Sequence, residues 1–172
     1  MAEIDITQLQ VTRRDINEEV RPTSAEVELV NRCIEEAQNL DIIPAIGADW
    51  WLRVLSRNSD EVALQLWQGG KYTDRFGKVH IFAGLKKCLL YYAYARLVRT
   101  QGGTSTRYDF VVKADQYSDS ADLKAKVQAY NEAFAVADGY KAQCLLFISD
   151  CGNCCTNKGL INNRLAIKRI GK

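Results

Sequence analysis

The stretch "GLKKCLLYYAYARLVRT", Gly84 to Thr100, decides the fold of this sequence. It is apolar or aromatic almost all the way round, and a helix on a protein surface does not tolerate that pattern. The sequence therefore predicts a long helix over about residues 81–100 that is sheathed by other helices or by neighbouring subunits. We expect its basic residues to lay their stems along the apolar surface and to place their charges at its edge. These residues are Lys86, Lys87, Arg96 and Arg99.

A second long helix is predicted from about Ser120 to Ile148. Apolar residues recur there at alternating spacings of four and three, which is a 3.5-residue repeat interrupted only by Lys141. Such a repeat predicts that the helix packs lengthwise along another helix. The repeat consists of Leu123, Val127, Tyr130, Phe134, Ala137, Lys141, Cys144 and Ile148.

The shorter elements are predicted from capping and turn residues. "TSAE" at Thr23 predicts a capping box that begins an amphipathic helix over 24–40. Pro44 and Gly47 in "DIIPAIG" predict a break after it. Asp49 is expected to cap a short helix that carries the Trp50–Trp51 pair.

Further along the chain, Ser59 or Asp60 is expected to cap another short helix that runs through Trp67. "QGGKYTDRFGK" is interpreted as a loop and "RYDFVVKA" as a short strand. The fold class predicted from all these patterns is mainly α: a small helical bundle with two long helices, a minor strand or hairpin, and extended termini.

At 172 residues the chain is one domain with appendages. We expect an extended N-terminal arm over 1–22 that ends in a short helical turn, a helical domain over 23–150 and a basic C-terminal tail over 151–172. Residues 1–41 carry a charge of −6, and the last 22 residues carry +5. This asymmetry suits head-to-tail contacts between copies, or different partners at the two ends, and chance clustering on solvated surfaces is the alternative.

No apolar run is long enough to span a membrane, and the N-terminus lacks the pattern of a secretion signal. The sequence therefore favours a reducing cytoplasm, in which the six cysteines are thiols.

The cysteines of "CGNCC" raise the alternative of a zinc site. A C-x-x-C pair supplies half of such a site, and Cys144 lies seven residues upstream. The candidate ligands are Cys144, Cys151, Cys154 and Cys155, and the site requires that the helix end near Ile148. Free thiols, with Cys33, Cys88 and Cys144 as core residues, are the simpler interpretation. We expect no cofactor.

Catalytic patterns are weak in this sequence. His80 is the single histidine, and nothing marks a partner for it. The glycine pairs at 69–70 and 102–103 lack the lysine and hydroxyl residue of a phosphate loop. The sequence predicts a protein that is not an enzyme and has no catalytic residues.

The C-terminal segment "NKGLINNRLAIKRIGK" resembles a docking element more than a nucleic-acid arm. It has no aromatic residue for base stacking, and its basic residues alternate with leucine and isoleucine. Protein docking is therefore favoured over sequence-independent contact with DNA. The expected docking residues are Leu160, Ile161, Arg164, Leu165, Ile167, Lys168, Arg169 and Ile170.

The segment from Leu66 to Thr100 resembles the head–tail connector proteins of tailed phages, most closely the ring proteins of crAss-like phages of Bacteroides-type bacteria. The resemblance rests on the glycine pair before Tyr72, on Phe82, on the Gly84–Leu85 pair, and on the "YYAYAR" run from Tyr91 to Arg96. It extends over about 20–150. The "CGNCC" segment departs from the pattern and leaves the docking mode of the tail open.

This resemblance implies a structural virion protein without catalysis, assembled in the host bacterial cytoplasm and placed at the head–tail interface. Its implied partners are copies of itself in a ring, commonly of twelve, the portal protein, other connector or tail ring proteins, and the genomic DNA in the channel. The long apolar helix is then expected to pack partly against neighbouring subunits. The residues expected there are Leu85, Leu89, Tyr91, Tyr92, Tyr94 and Arg96.

Two other functions remain open at this point. The basic tail and exposed lysines would suit a DNA-binding or packaging accessory module. A small zinc or thiol protein is the third alternative.

Overall fold

The computed structural model describes residues 8–21, 23–100, 104–105, 110–111 and 123–152. The chain is mainly α, and the prediction of a small helical bundle with two long helices and a minor hairpin is confirmed. The helices are α1 (Arg13–Glu19), α2 (Val27–Glu36) with a π-helical continuation (Ala37–Ile42), α3 (Ile43–Ile46), α4 (Ala48–Leu55), α5 (Glu61–Gln68), α6 (Leu85–Thr100) and α7 (Leu123–Gly152). A 3-10 turn (Arg57–Ser59) precedes α5. The strands are β1 (Gly70–Thr73), β2 (Val79–Phe82) and the two-residue β3 (Thr104–Ser105) and β4 (Phe110–Val111).

Helix α6 lies at the centre of the bundle. Helix α7 packs along its length, and α1, α2 with its π-helical continuation, and α5 cover its remaining sides. Eight of its residues are buried: Leu85, Cys88, Leu89, Leu90, Tyr92, Ala93, Ala95 and Leu97. Helix α6 is therefore covered by other helices, as predicted, and these helices belong to the same chain.

That packing corrects the expectation that Leu85, Leu89 and Tyr92 meet neighbouring subunits. All three are completely buried within one copy. The sequence could not show this, because the sheath comes from segments far away along the chain. Tyr91 and Tyr94 pack against the core at its margin and are partly buried.

Two of the four basic residues of α6, Lys86 and Arg96, pair with acids of the N-terminal third of the chain. Lys86 Nζ lies 2.8 Å from Asp15 Oδ1 and 2.7 Å from Glu19 Oε1. Arg96 binds Asp41 and Glu36 in the same way at the other end of the helix. Four of the acids that were expected to face other molecules are thus paired within the copy itself.

The short helical turn expected in the N-terminal segment forms, but residues 8–21 are not a separate extended arm. Residues 13–19 form α1, and its capping box joins the Thr12 and Asp15 side chains to the opposite backbone amides. Val11 and Ile16 are buried in the core. Because α1 closes one side of α6, residues 8–21 belong to the bundle.

Helix α2 begins later than predicted. The capping box at Thr23 does not form, because the Thr23 hydroxyl accepts from the amide of Ala25 and the helix starts at Val27. Helical structure then continues through the π-helical segment into α3, and it ends at Gly47. Pro44 does not break it, because it lies in the first turn of α3, where its missing N–H is tolerated.

Of the two other predicted caps, one is confirmed. Asp60 Oδ1 accepts from the amides of Val62 and Ala63 and begins α5. Asp49 is not a cap, because it lies inside the first turn of α4.

The segment "QGGKYTDRFGK" was predicted to be a loop, but it forms most of a hairpin. Strands β1 and β2 pair antiparallel, in a register that runs from Gly70 opposite Phe82 to Thr73 opposite Val79. In the predicted strand "RYDFVVKA", Phe110–Val111 pairs with Thr104–Ser105, and the other residues lie outside the described ranges.

Helix α7 packs lengthwise on α6, as its repeat predicted. Among its described side chains, those of Ala133, Ala137, Cys144 and Phe147 are buried. The helix extends beyond Ile148 to Gly152.

Candidate interaction surface

The β1–β2 hairpin projects from the bundle between α5 and α6, and its two ends are fixed together. Gly69 enters the hairpin and Gly84 leaves it, with φ angles of +81° and +87°. A Cβ on Gly84 would lie 2.5 Å from the backbone of Gln68 and Gly69, and a Cβ on Gly69 would lie equally close to Ala83. Only glycine permits both this conformation and this approach. At the base of the hairpin, the backbone entering at Gly69 and the backbone leaving at Gly84 are therefore in close contact.

The inner face of the hairpin is bound to α7 by an aromatic cluster. Tyr72 meets Phe82 and Phe147 edge-on, with ring centroids 5.6 and 5.0 Å apart. Phe82 and Phe147 are stacked at 4.8 Å. Tyr72 also stacks on His80 at 5.2 Å. These offset and edge-to-face contacts hold the hairpin in one orientation.

The outer face of the hairpin is apolar and uncovered. Lys71 and Ile81 are cross-strand partners, as are Thr73 and Val79, and alternation along the strands points all four away from the bundle. Ile81 is 81% exposed and Val79 is 61% exposed. We call this surface, completed by Phe76 at the tip, the hairpin outer face.

The tip of the hairpin is ordered by Asp74. Its Oδ1 accepts from the amides of Phe76 and Lys78, and its Oδ2 lies 2.9 Å from His80 Nε2. The contact with His80 is the main reason that the pKa of Asp74 is lowered. This turn leaves Phe76 80% exposed, with the Arg75 guanidinium 4.8 Å from the centre of its ring.

The rim of the hairpin outer face is basic. Lys71, Arg75 and Lys78 are exposed around the apolar residues. Asp74 is the only acid between residues 70 and 82, and it contacts His80. The surface therefore joins an apolar centre to an excess of positive charge.

A second uncovered surface lies on α7, on the side that faces away from α6. Leu146 is exposed there, whereas Val136 and Leu145, which are nine residues apart, are exposed on opposite flanks of the helix. Between Asn131 and Ser149 the outward line of the helix continues with Ala135, Gly139 and Ala142, which are all exposed and uncharged. We call this surface the α7 outer face. Glu132 flanks this surface, whereas the Asp150 carboxylate accepts a hydrogen bond from the Tyr72 hydroxyl of the hairpin.

The predicted zinc ligands are not brought together where the structure describes them. Cys144 is buried and Cys151 lies two turns further along the same continuous helix, so the condition that α7 end near Ile148 is not met. Burial raises the pKa of Cys144 to about 12. Within the described residues no group of three or more histidine, cysteine or acidic side chains could hold a metal. Cys154 and Cys155 lie outside the described ranges.

The remaining predicted site residues divide into two groups. The eight docking residues from Leu160 to Ile170 lie outside the described ranges. Arg96, expected at a subunit contact, instead joins α6 to Asp41 and Glu36 of its own chain. Its pKa is raised, chiefly by the hydrogen bonds to Asp41.

A minor strand or hairpin was predicted, but its position at residues 70–82 was not. A signal was present: in "KVHIF" the outward Val79 and Ile81 alternate with the inward His80 and Phe82. Asp74 and Gly77 supply the turn chemistry of a hairpin.

No helix within the described ranges combines the length and apolarity that crossing a membrane would require. No curated protein and no solved structure matches the chain significantly. A family model does match, that of the family of unknown function DUF6712, over residues 44–155. This range contains the hairpin, α6 and all of α7. Because the match covers more than half of the sequence, the chain belongs to the DUF6712 family.

Proposed function

We propose that the protein is a structural component of a tailed phage that forms a ring in the head–tail connector, around the channel through which DNA leaves the capsid. In this role it has no catalytic activity, and it contacts copies of itself, the portal protein and adjacent connector or tail rings. The proposal draws on the resemblance of Leu66–Thr100 to connector proteins and on the exposed apolar face of the hairpin.

The hairpin outer face is the observation that carries the proposal. Contiguous apolar side chains on a projecting element are typical of protein–protein interaction sites. Ile81, Val79 and Phe76 are exposed while the inner face of the same hairpin is locked onto α7. A hairpin that is rigidly held and has an exposed apolar face is suited to binding a partner protein.

The covering of α6 changes how assembly is expected to occur. One copy buries this helix by itself, so neighbours are not needed to cover it. We therefore expect a folded monomer that joins rings through surface contacts, alone at high concentration or on the portal.

The proposal is tested on purified phage particles and on a reconstituted portal complex. We expect mass spectrometry to find the protein in particles, and electron microscopy to place it between portal and tail. Ile81→Lys should fold normally and join the portal complex poorly. Absence of the wild-type protein from particles would contradict the connector role.

A DNA-binding accessory module remains the second candidate, favoured by Lys71, Arg75 and Lys78 around the exposed Phe76 ring. A gel-shift titration against salt tests it, since affinity carried by phosphate contacts falls steeply with ionic strength. Replacing the three basic residues with glutamine should then reduce the slope of log K against log salt by about 3. The absence of any shift at low salt would exclude this function.

A further inference from the structure

We propose that residues 1–7 add a third strand to the hairpin, along the free edge of β2, within the same copy. The added strand enlarges the apolar surface that a partner protein binds. The inference rests on the proposed function only for that partner, because the strand itself belongs to the isolated protein.

The edge of β2 that faces away from β1 carries unpaired backbone groups. At the turn, the Asp74 amide donates to the Lys78 carbonyl. Hydrogen-bonded pairs alternate with non-hydrogen-bonded pairs in an antiparallel ladder, so Val79 and Ile81 belong to non-hydrogen-bonded pairs. Their amides and carbonyls therefore point away from β1, and within the described ranges no group bonds to them.

The opposite edge of the hairpin is partly occupied by the chain itself. The Lys71 carbonyl points away from β2 and accepts a hydrogen bond of 2.9 Å from Gln65 Nε2 of α5. The edge of β2 is therefore the free one, and such an edge is a template for an added strand. A hairpin of two strands also gains stability when a third strand joins it.

Residues 1–7 have the pattern and the charge of such a strand. In "EIDIT", Glu3 to Thr7, apolar and polar residues alternate, so Ile4 and Ile6 fall on one face and Glu3 and Asp5 on the other. Two negative charges suit a hairpin whose rim has an excess of positive charge. The C-terminal tail is the less suitable occupant, because its charge of +5 has the same sign as the rim.

The alternation also determines which residues become neighbours. When the two isoleucines lie beside Val79 and Ile81, the hairpin outer face gains two branched apolar side chains. The two acids then lie on the opposite face of the sheet. Lys78 belongs to that face, whereas Lys71 belongs to the outer face.

The described chain starts near the base of the hairpin. Gln10 Oε1 accepts a hydrogen bond of 2.8 Å from Arg57, whose guanidinium lies 4.7 Å from the centre of the Trp67 ring. The Trp67 carbonyl oxygen lies 2.7 Å from the position of a Cβ on Gly84, where the chain leaves the hairpin. Seven extended residues span about 23 Å and the four residues of β2 span about 13 Å, so residues 1–7 can run along this strand.

Amide hydrogen exchange in the full-length protein, followed by NMR, tests the added strand. We expect the amides of Val79 and Ile81 to be protected, although neither is bonded to β1. Exchange at both should become at least about tenfold faster when Ile4→Lys and Ile6→Lys are combined, because two cations replace the apolar contacts. The combination of Ile4→Val and Ile6→Val is the matched control and should retain the protection. The His80 amide is bonded to β1 and should stay protected in all three proteins, which shows that the hairpin is intact.

A carbodiimide crosslink tests the neighbours that the alternation assigns. This reagent joins a carboxylate to an amine when the two are in contact. Glu3 and Asp5 are the only acids of the tryptic peptide 1–13, and we expect that peptide to be joined to Lys78 in preference to Lys71. In a mixture of isotope-labelled and unlabelled protein, both halves of the crosslinked product should carry the same label, because they come from one copy.

Each measurement can overturn the inference. Rapid exchange of the Val79 and Ile81 amides in the wild type would do so, and so would crosslinks that join labelled to unlabelled chains or that favour Lys71.

Failure of the inference can be distinguished from failure of the connector role, because both measurements use the isolated protein. If the strand forms and the protein is absent from phage particles, the inference stands and the connector role is wrong. If the two amides exchange rapidly and the protein is found in particles, the connector role stands and the inference is wrong.

Discussion

Arg96 lies on α6 among apolar side chains, and its guanidinium is held by two carboxylates of its own chain. Its Nε is 2.9 Å from Asp41 Oδ2, its Nη2 is 3.1 Å from Asp41 Oδ1, and its Nη1 is 3.3 Å from Glu36 Oε2. The two-pronged contact with Asp41 fixes α6 to the π-helical segment. Arg96 is therefore a structural residue of the monomer.

Replacing Arg96 by methionine should destabilise the protein by about 2 kcal/mol, because the change keeps the stem but leaves the largely buried Asp41 carboxylate without its partner. Urea unfolding followed by circular dichroism measures this loss. Arg14→Met is the control, since the Arg14–Glu18 pair is exposed and should contribute less than about 0.5 kcal/mol. Equal effects of the two substitutions would contradict this account.

The buried thiols give a second prediction at this scale. Burial raises the pKa of Cys88 above its usual range, and it does the same for Cys144 and Cys33. A thiol reacts as the thiolate, so these three should resist Ellman's reagent between pH 7 and 9 in the folded protein. All six cysteines should react in guanidinium chloride. Rapid reaction of more than three thiols at pH 8 in native buffer would show that one of these is accessible.

Neither the pairing of Arg96 nor that of Lys86 could be predicted from the sequence. The α6 pattern predicts that the stems lie along an apolar surface, and both residues are indeed only partly exposed. Their carboxylate partners lie 55 to 71 residues away along the chain. Only the folded arrangement shows that the acidic N-terminal third supplies these partners.

At the scale of elements, the hairpin depends on the close approach of Gly69 and Gly84 at its base. Gly84→Ala should destabilise the protein by roughly 3 kcal/mol or more, because the new methyl group meets backbone atoms and the residue must hold a positive φ. Gly77→Ala is the matched control: it has a similar φ of +82° but open space around its Cβ, so about 1 kcal/mol is expected. Thermal melting curves of the two variants decide between these outcomes. Similar losses would show that the close approach at Gly84 is relaxed in solution.

The long helices could be predicted because their signal is local. Apolar periodicity over about 16 to 30 residues is enough to identify α6 and α7. The hairpin has strands of only four residues with mixed polarity, so glycines that fix its base were interpreted as loop residues. Similarly, Thr23 does not cap a helix although the capping motif is present. The reason is that the Asn17 side chain accepts a hydrogen bond from the Thr23 amide and holds this segment in a turn.

At the scale of the whole molecule, the sequence correctly predicted that α6 must be covered. It left open whether helices of the same chain or neighbouring subunits cover it. The answer depends on α1 and α7, which lie on either side of α6 in the chain and meet it only in the fold. Among the described residues, Val27, Leu40 and Leu52 are exposed on other helical segments, and further exposed apolar side chains lie on the hairpin and on α7. Assembly should therefore respond to substitutions there, and folding should respond to substitutions in α6.

A pair of aspartate substitutions separates these two properties. Leu89 is fully buried in the middle of α6, and Leu89→Asp places a carboxylate in the core without a partner. Its expected cost of about 4–5 kcal/mol approaches the total stability of a small domain. The variant should lack a cooperative melting transition. Leu146 is 57% exposed, so Leu146→Asp should change the melting temperature little while it weakens self-association. A cooperative transition near the wild-type temperature for Leu89→Asp would mean that α6 is not the centre of the folded monomer, and the covering of its apolar surface would again have to be sought between copies.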